Sequence, residues 1–164
     1  MDKRWIGILI ILIAGLSCMY FIVTNSNSVG TAITVVNDVT IPAPDGFKID
    51  DDNSFNKRLT NTQTNETIFI KCVEKDKNGT KEFTKILNSF QNNKDVTVKN
   101  ESNATFEIIE FEDLNTGKNT TFVYFEKLNH SFILKMENFK ENQRRDGCLN
   151  FMYNNMVHDY KQNK

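Results

Sequence analysis

The sequence is poor in the residues from which reactive centres are usually built. Two histidines, three cysteines and seven glycines stand among 164 residues. With so few glycines no loop reads as a phosphate cradle, and no G-x-S-x-G, P-loop, G-x-G-x-x-G or H-E-x-x-H pattern occurs. His130 and His158 have no carboxylate or cysteine at metal-ligand spacing, so both read as surface residues. Cys72 and Cys148 each lack a second ligand close by, which excludes a CxxC redox pair and a zinc site. No metal or cofactor is expected. An excess of one charge is missing too: 20 Lys and Arg stand against 21 Asp and Glu, a net of −1. No basic field draws phosphate, so nucleic acid is not expected as a partner. The chain is too short for several large domains, has no internal repeat, and at 39% apolar residues is not a disordered chain.

One stretch is strongly apolar. Trp5 to Val23 (WIGILIILIAGLSCMYFIV) runs for 19 residues without a charge, Asn or Pro. As a helix it is about 28 Å long, close to a hydrocarbon core of about 30 Å. Lys3 and Arg4 precede it, and no charge follows until Asp38. The positive-inside bias therefore keeps residues 1–4 in the cytoplasm and puts residues 24–164 outside. Trp5 and Tyr20 stand near its ends, where interfacial aromatics collect. The reading is a single-pass anchor in the cell membrane over residues 5–23. Two alternatives stay open. A cleaved signal peptide would release a soluble secreted protein, with Ser26-Asn27-Ser28 or Gly30-Thr31-Ala32 as cleavage site, although such an apolar run is usually about 7 to 15 residues. A lipidated Cys18 would follow Gly15-Leu16-Ser17, a loose lipobox with its Leu one place late.

Residues 24–32 (TNSNSVGTA) are small, polar and uncharged, which suits a stalk. The outer domain is expected over residues 33–164, with 12 of the 13 Phe beyond residue 23 available for its core. Ile33 to Ile41 reads as a strand ending in Pro42-Ala43-Pro44-Asp45-Gly46, where a fixed φ, an Asx acceptor and a residue tolerant of positive φ make a turn. Phe47 to Asp50 is extended, and Asp51-Asp52-Asn53-Ser54 closes it. Thr67 to Glu74 alternates, with Ile68, Ile70 and Cys72 on one face and Phe69, Lys71 and Val73 on the other. In TKEFTKILNSFQNN, Phe83, Ile86, Leu87 and Phe90 fall at i, i+3, i+4 and i+7, one helical stripe, with Thr80 as N-cap and Asn92-Asn93 as stop. Thr105–Glu112, Thr120–Leu128 and Ser131–Phe139 read as a meander joined by Leu114-Asn115-Thr116-Gly117 and by Asn129-His130. From Asn142 to Tyr160, Leu149, Met152, Tyr153, Met156 and Tyr160 recur at helical spacing, with Cys148 at the edge of the stripe. The expected class is α+β: an antiparallel β-sheet with two covering helices in an α/β sandwich, preceded by one N-terminal transmembrane helix.

A membrane-anchored leader, a strand ending in IPAPDGF (Ile41 to Phe47), a helix ending in LNSF (Leu87 to Phe90), a meander and a terminal helix together resemble the PsbP/Mog1-like α/β fold. The chain is also similar to small membrane-anchored surface proteins of methanogenic archaea. The resemblance covers residues 33–160 in element order. It implies a binding or accessory module and no catalytic site. A cystatin-like α+β domain is the rival architecture, but it opens with a helix that Ile33 to Glu74 does not supply.

Cys72 and Cys148 are the only cysteines outside the apolar span, and an oxidising exterior would favour a disulfide between them. Its loop of about 77 residues would contribute on the order of 4 kcal/mol by chain entropy. The alternative is two buried free thiols. Sequons stand at Asn65, Asn78, Asn100, Asn103, Asn119 and Asn129, roughly twice the number that 22 Asn and 22 Ser plus Thr predict by chance. All six fall at expected turns or strand ends, where a glycan disturbs no core. Asn-rich composition alone is the competing explanation. Asp50-Asp51-Asp52 does not open a calcium loop, because Phe55 and Asn61 stand where Gly and Glu are needed. Glu107, Glu110 and Glu112 are the carboxylates a glycoside hydrolase would need, yet alternation assigns them to a sheet face. Arg144-Arg145 precedes the last helix and reads as a solvated helix start; a bidentate grip on a carboxylate or anionic wall polymer is the alternative, to which the unfavourable helix dipole points. The functional expectation is a non-catalytic binding or accessory module of the cell envelope, contacting an envelope polymer or protein. An envelope-polymer hydrolase is the alternative.

Overall fold

The computed structural model describes residues 33–74, 78–92 and 95–158, without the side chains of Ile33 and Thr34. The expected anchor at 5–23, the stalk at 24–32 and Tyr160 lie outside these residues. Among the described residues no helix is long and apolar enough to cross a membrane.

The elements run β1 (Ile33–Val36), β2 (Val39–Pro42), β3 (Lys48–Asp51), β4 (Lys57–Asn61), β5 (Glu66–Glu74), α1 (Gly79–Gln91), β6 (Val96–Asn100), β7 (Glu107–Asp113), β8 (Asn119–Lys127), β9 (His130–Glu137), α2 (Asn142–Asn154) and β10 (Val157–His158). Seven strands form one antiparallel sheet in the order β3-β4-β5-β9-β8-β7-β6, and a small sheet has the order β1-β2-β10. The α+β class, with antiparallel sheets and two helices, is as expected.

Several elements follow from local sequence. β5 buries Ile68, Ile70 and Cys72 and leaves Phe69, Lys71 and Val73 half-buried, as its alternation requires. Helix α1 buries Phe83 and Leu87. Its cap is Asn78, not Thr80: Asn78 sits in the left-handed region and its Oδ1 accepts from Lys81 N at 3.1 Å. The Pro-containing turn closes with Phe47 N donating to Pro44 O and Gly46 at φ 80°. An added Cβ on Gly46 would lie 2.8 Å from Asn61 Nδ2.

Other boundaries differ from expectation. Ile33 to Ile41 is a hairpin and not a single strand, because Asn37 turns the chain at φ 57°. The polar strands β4 and β6 carry too little apolar alternation to be read. The β8–β9 turn is Leu128-Asn129, both at positive φ, so the hairpin closes one residue earlier than expected. Helix α2 stops at Asn154, and Met156 is buried beyond its end.

The two faces of the main sheet are covered differently. On one, Leu59, Ile68, Ile70, Val123, Phe125, Phe132, Leu134 and Met136 pack with Leu149 and Met152 of α2 and with Val36, Val39 and Ile41 of the small sheet. On the other, Phe111, Phe122 and Ile133 pack with Phe83 and Leu87 of α1. Gly79 is what lets α1 start so close, since a Cβ there would lie 2.3 Å from Ser131 Cβ.

Candidate functional site

Arg144 and Arg145 have partners within the chain. Arg144 Nε donates to both oxygens of Glu66, at 2.6 and 2.9 Å. Arg145, 2% exposed, donates from Nη1 to Glu110 Oε2 and from Nη2 to Glu101 Oε2, each at 2.6 Å, and from Nε to Asp146. The solvated helix start expected is therefore corrected at Arg145, which is buried, and α2 uses both arginines to dock on the sheet rather than on an external anion. Burial works against the Arg145 charge, but the Glu101 and Asp146 hydrogen bonds outweigh it and hold its pKa above the ordinary value. Burial likewise raises the Glu66 carboxyl, and the Arg144 and Thr64 hydrogen bonds bring it below the usual carboxylate range.

Of the three carboxylates considered for hydrolysis, Glu110 and Glu112 both lie 3.7 Å from Lys99 Nζ, and Glu107 stands apart from them. Glu110 is 3% exposed and locked to Arg145. Glu112 shares its face and lies 3.7 Å from Lys99. Glu107 is exposed and belongs to the opposite face by alternation.

Cys72 and Cys148 are both buried and both free thiols, so the expected disulfide is not formed. They face the same core from opposite ends of β5. The Cys148 thiol lies within electrostatic reach of Arg144 and Glu66, whereas Cys72 accepts from Asn37 Nδ2 at 3.6 Å. Glu66 and Cys72 are six residues apart on one strand, about 20 Å, and a disulfide needs Cα atoms within about 7 Å. Burial pushes the two thiols up to about 12 and about 11.

The uncovered part of the α1 face offers a contact surface. Beside α1, strands β3, β4 and β5 present two cross-strand rungs to the outside: Lys48, Thr60, Thr67 and Asp50, Arg58, Phe69. They line a hollow of about 380 Å³ together with Thr62. A second hollow of about 320 Å³ lies between α1 and the sheet, lined by Phe55, Lys71, Ile86, Phe90, Phe122 and Lys135 among others. Phe55 and Phe69, 5.5 Å apart, form the ridge between the two, and Lys135 Nζ sits 5.0 Å from the Phe69 ring centre. The Arg58 guanidinium is only loosely held: its Nη2 is 3.8 Å from Asp50, and its shielded Nε has no hydrogen-bond partner among the described residues. Asp52 serves the adjoining turn, accepting from Phe55 N and Ser54 N at 2.9 Å each, which holds its carboxyl below the usual range.

At the far end of the sheet His130 is not the surface residue expected, while His158 is half-buried. His130 opens β9 and is buried; its Nε2 lies 3.1 Å from Asp38 Oδ1, while His158 Nε2 lies 2.6 Å from Asp38 Oδ2. The one-residue shift of the β8–β9 turn moves His130 from the turn into the strand. Among the described residues no group of three or more His, Cys, Asp or Glu is arranged to hold a metal ion.

Of the sequons, Asn65, Asn78, Asn100, Asn103 and Asn129 are exposed, and Asn119 is half-buried with its Oδ1 shielded. Strand directions put Asn78, Asn100, Asn103 and Asn129 at the same end of the main sheet, where β6 and β8 finish and α1, β7 and β9 begin. The chain matches no protein-family model and no curated protein sequence.

Proposed function

We propose that this is a non-catalytic binding or accessory module of the cell envelope. Residues 5–23 hold it in the cell membrane as a single pass, residues 1–4 lie inside, and the α+β domain stands outside on the 24–32 stalk. Its fold is a PsbP/Mog1-like variant, with the small sheet as an added layer. Its ligand surface is the uncovered β3–β4–β5 face, and the occupant is an envelope polymer rich in hydroxyl groups.

One observation carries this reading: the uncovered stretch of sheet over β3, β4 and β5 combines threonine hydroxyls, a loosely held guanidinium and an aromatic ridge around two hollows. Such a surface offers hydrogen-bond donors and an apolar platform without a pair of convergent carboxylates. The hydrolase alternative has less support, because Glu110 is committed to Arg145. Four sequons gathered at one end, away from the hollows, are compatible with glycosylation there.

The test is co-sedimentation of the full-length protein, in detergent, with purified envelope polymer. Expected is saturable binding, weakened by Arg58→Ala together with Phe69→Ala, without release of soluble reducing ends. Polymer cleavage abolished by Glu107→Gln or Glu112→Gln would overturn the non-catalytic reading, and absence of binding would overturn the ligand class.

A further inference from the structure

Strand β6 ends the order of the seven-stranded sheet, with β7 as its single strand neighbour among the described residues. Leu114 N donates to Asp95 O and Glu101 N donates to Ile108 O. In the β6–β7 register the residues that bond to β7 are therefore Asp95, Thr97, Lys99 and Glu101. The backbone groups of Val96 and Val98, which alternate with them, point off the edge of the sheet. Unpaired strand groups of this kind are a template for another strand. At the opposite edge, the acidic residues of β3 already face cations of β4: Asp51 meets Lys57 and Asp50 meets Arg58.

The charges on β6 select the strand that fits it. Asp95 is exposed, accepts from Asn115 Nδ2 at 3.2 Å and meets no cation among the described residues. Lys99 is exposed and loosely engaged, 3.7 Å from Glu110 and from Glu112. Val98 is 48% exposed. Two copies of β6 can pair antiparallel only where outward residues meet outward residues, and only two such registers pair both Val96 and Val98 within the strand. With Val98 opposite Val98, Asp95 of each copy meets Glu101 of the other, and like charges oppose each other. With Thr97 opposite Thr97, Asp95 of each copy meets Lys99 of the other, and Val96 meets Val98. A lysine on an edge strand ordinarily deters pairing. In this register it has a carboxylate to meet.

We propose that β6 is a self-association edge: two copies join antiparallel about Thr97, with Asp95 of each against Lys99 of the other, and continue the sheet across a two-fold axis. Val96 already packs against the α1 core, so the joined strands extend that core and cover Val98. The axis is perpendicular to the sheet, which puts like faces of the two copies on the same side. Both small sheets, and with them both β1 strands that lead back to residues 24–32, then lie on one side, and both β3–β4–β5 faces lie on the other. Two anchors in one membrane are compatible with this arrangement, and a polymer chain gains two points of contact. That consequence rests on the function proposed above, whereas the pairing itself does not.

So short a ladder makes a weak dimer, and covalent trapping in the full-length protein in detergent tests it. With Cys18→Ala, the remaining native cysteines are the buried Cys72 and Cys148. Opposed Thr97 residues form a non-hydrogen-bonded pair with Cα atoms about 4.5 Å apart, within disulfide range. Two Asn100 residues lie about 20 Å apart along the joined strands. Under mild oxidation Thr97→Cys should therefore give a reducible dimer and Asn100→Cys should not. Adding Asp95→Lys to Thr97→Cys turns both attractions into repulsions and should slow dimer formation about tenfold, with the circular dichroism spectrum unchanged. Val98→Pro removes an outward N–H without touching the β7 ladder and should slow it likewise. No dimer from Thr97→Cys, as much dimer from Asn100→Cys, faster dimer from Val98→Cys, or undiminished rates in both Asp95→Lys and Val98→Pro would each overturn the pairing.

Discussion

The two faces of the seven-stranded sheet are finished to different standards. Under α2 and the small sheet, the largest core among the described residues is sealed at one side by Arg144 and Arg145, and two of the carboxylates they meet, Glu66 and Glu110, are buried. Under α1 a smaller core ends at Phe90 and Phe122, and β3, β4 and β5 continue past the helix with hydroxyls, charges and Phe69 facing out. The sealed face can change little without cost. The open face can exchange side chains freely, as a contact surface must.

The largest effect should come from breaking the seal. Arg145→Ala leaves the buried Glu110 with only Lys99, 3.7 Å away, and should cost about 3 kcal/mol in urea unfolding, whereas adding Glu110→Leu should restore much of the loss. Next, Gly79→Ala forces the start of α1 away from Ser131 and should cost about 1 to 3 kcal/mol; exchange should quicken in α1 and stay slow in α2. A third effect depends on pH. Glu66 has a depressed folded-state pKa, so its contribution is present above the unfolded carboxylate range and is lost as pH falls through the folded value. Arg144→Gln should therefore reduce stability at pH 7 and flatten its decline in acid, as urea midpoints from pH 7 to 3 would record. Smallest on stability should be Arg58→Ala, within about 0.5 kcal/mol, even though it lowers polymer binding. A large destabilisation there would mean that the open face belongs to the scaffold.

What sequence periodicity conveys here is local. The α1 stripe, the alternation of β5 and the meander were legible because each pattern repeats within a few residues. β4 (KRLTN) was not, because its two buried positions are Leu59 and the polar Asn61, nor was β6 (VTVKN), because it is exposed along nearly its whole length and carries only Val96 and Val98 as an apolar pair. His130 falls in the strand rather than in the turn where the sequence pattern puts it. Leu128 takes a left-handed conformation that its type disfavours, and a one-residue shift exchanges the inward and outward faces of a strand. Charge partners were the least legible feature. Glu66, Glu101 and Glu110 lie 35 to 78 residues from the arginines they meet, and only the fold brings them together. Likewise, two cysteines on one inner face looked able to bond until strand length separated them.

Hydroxyl-radical footprinting of the full-length protein, with and without soluble fragments of envelope polymer, tests the division between the faces most directly. The expected result is reduced oxidation of Phe55 and Phe69 on the open face, with Phe106 and Tyr153 on the sealed side unchanged. Protection confined to Phe106 and Tyr153, or at none of the four rings under saturating polymer, would contradict it.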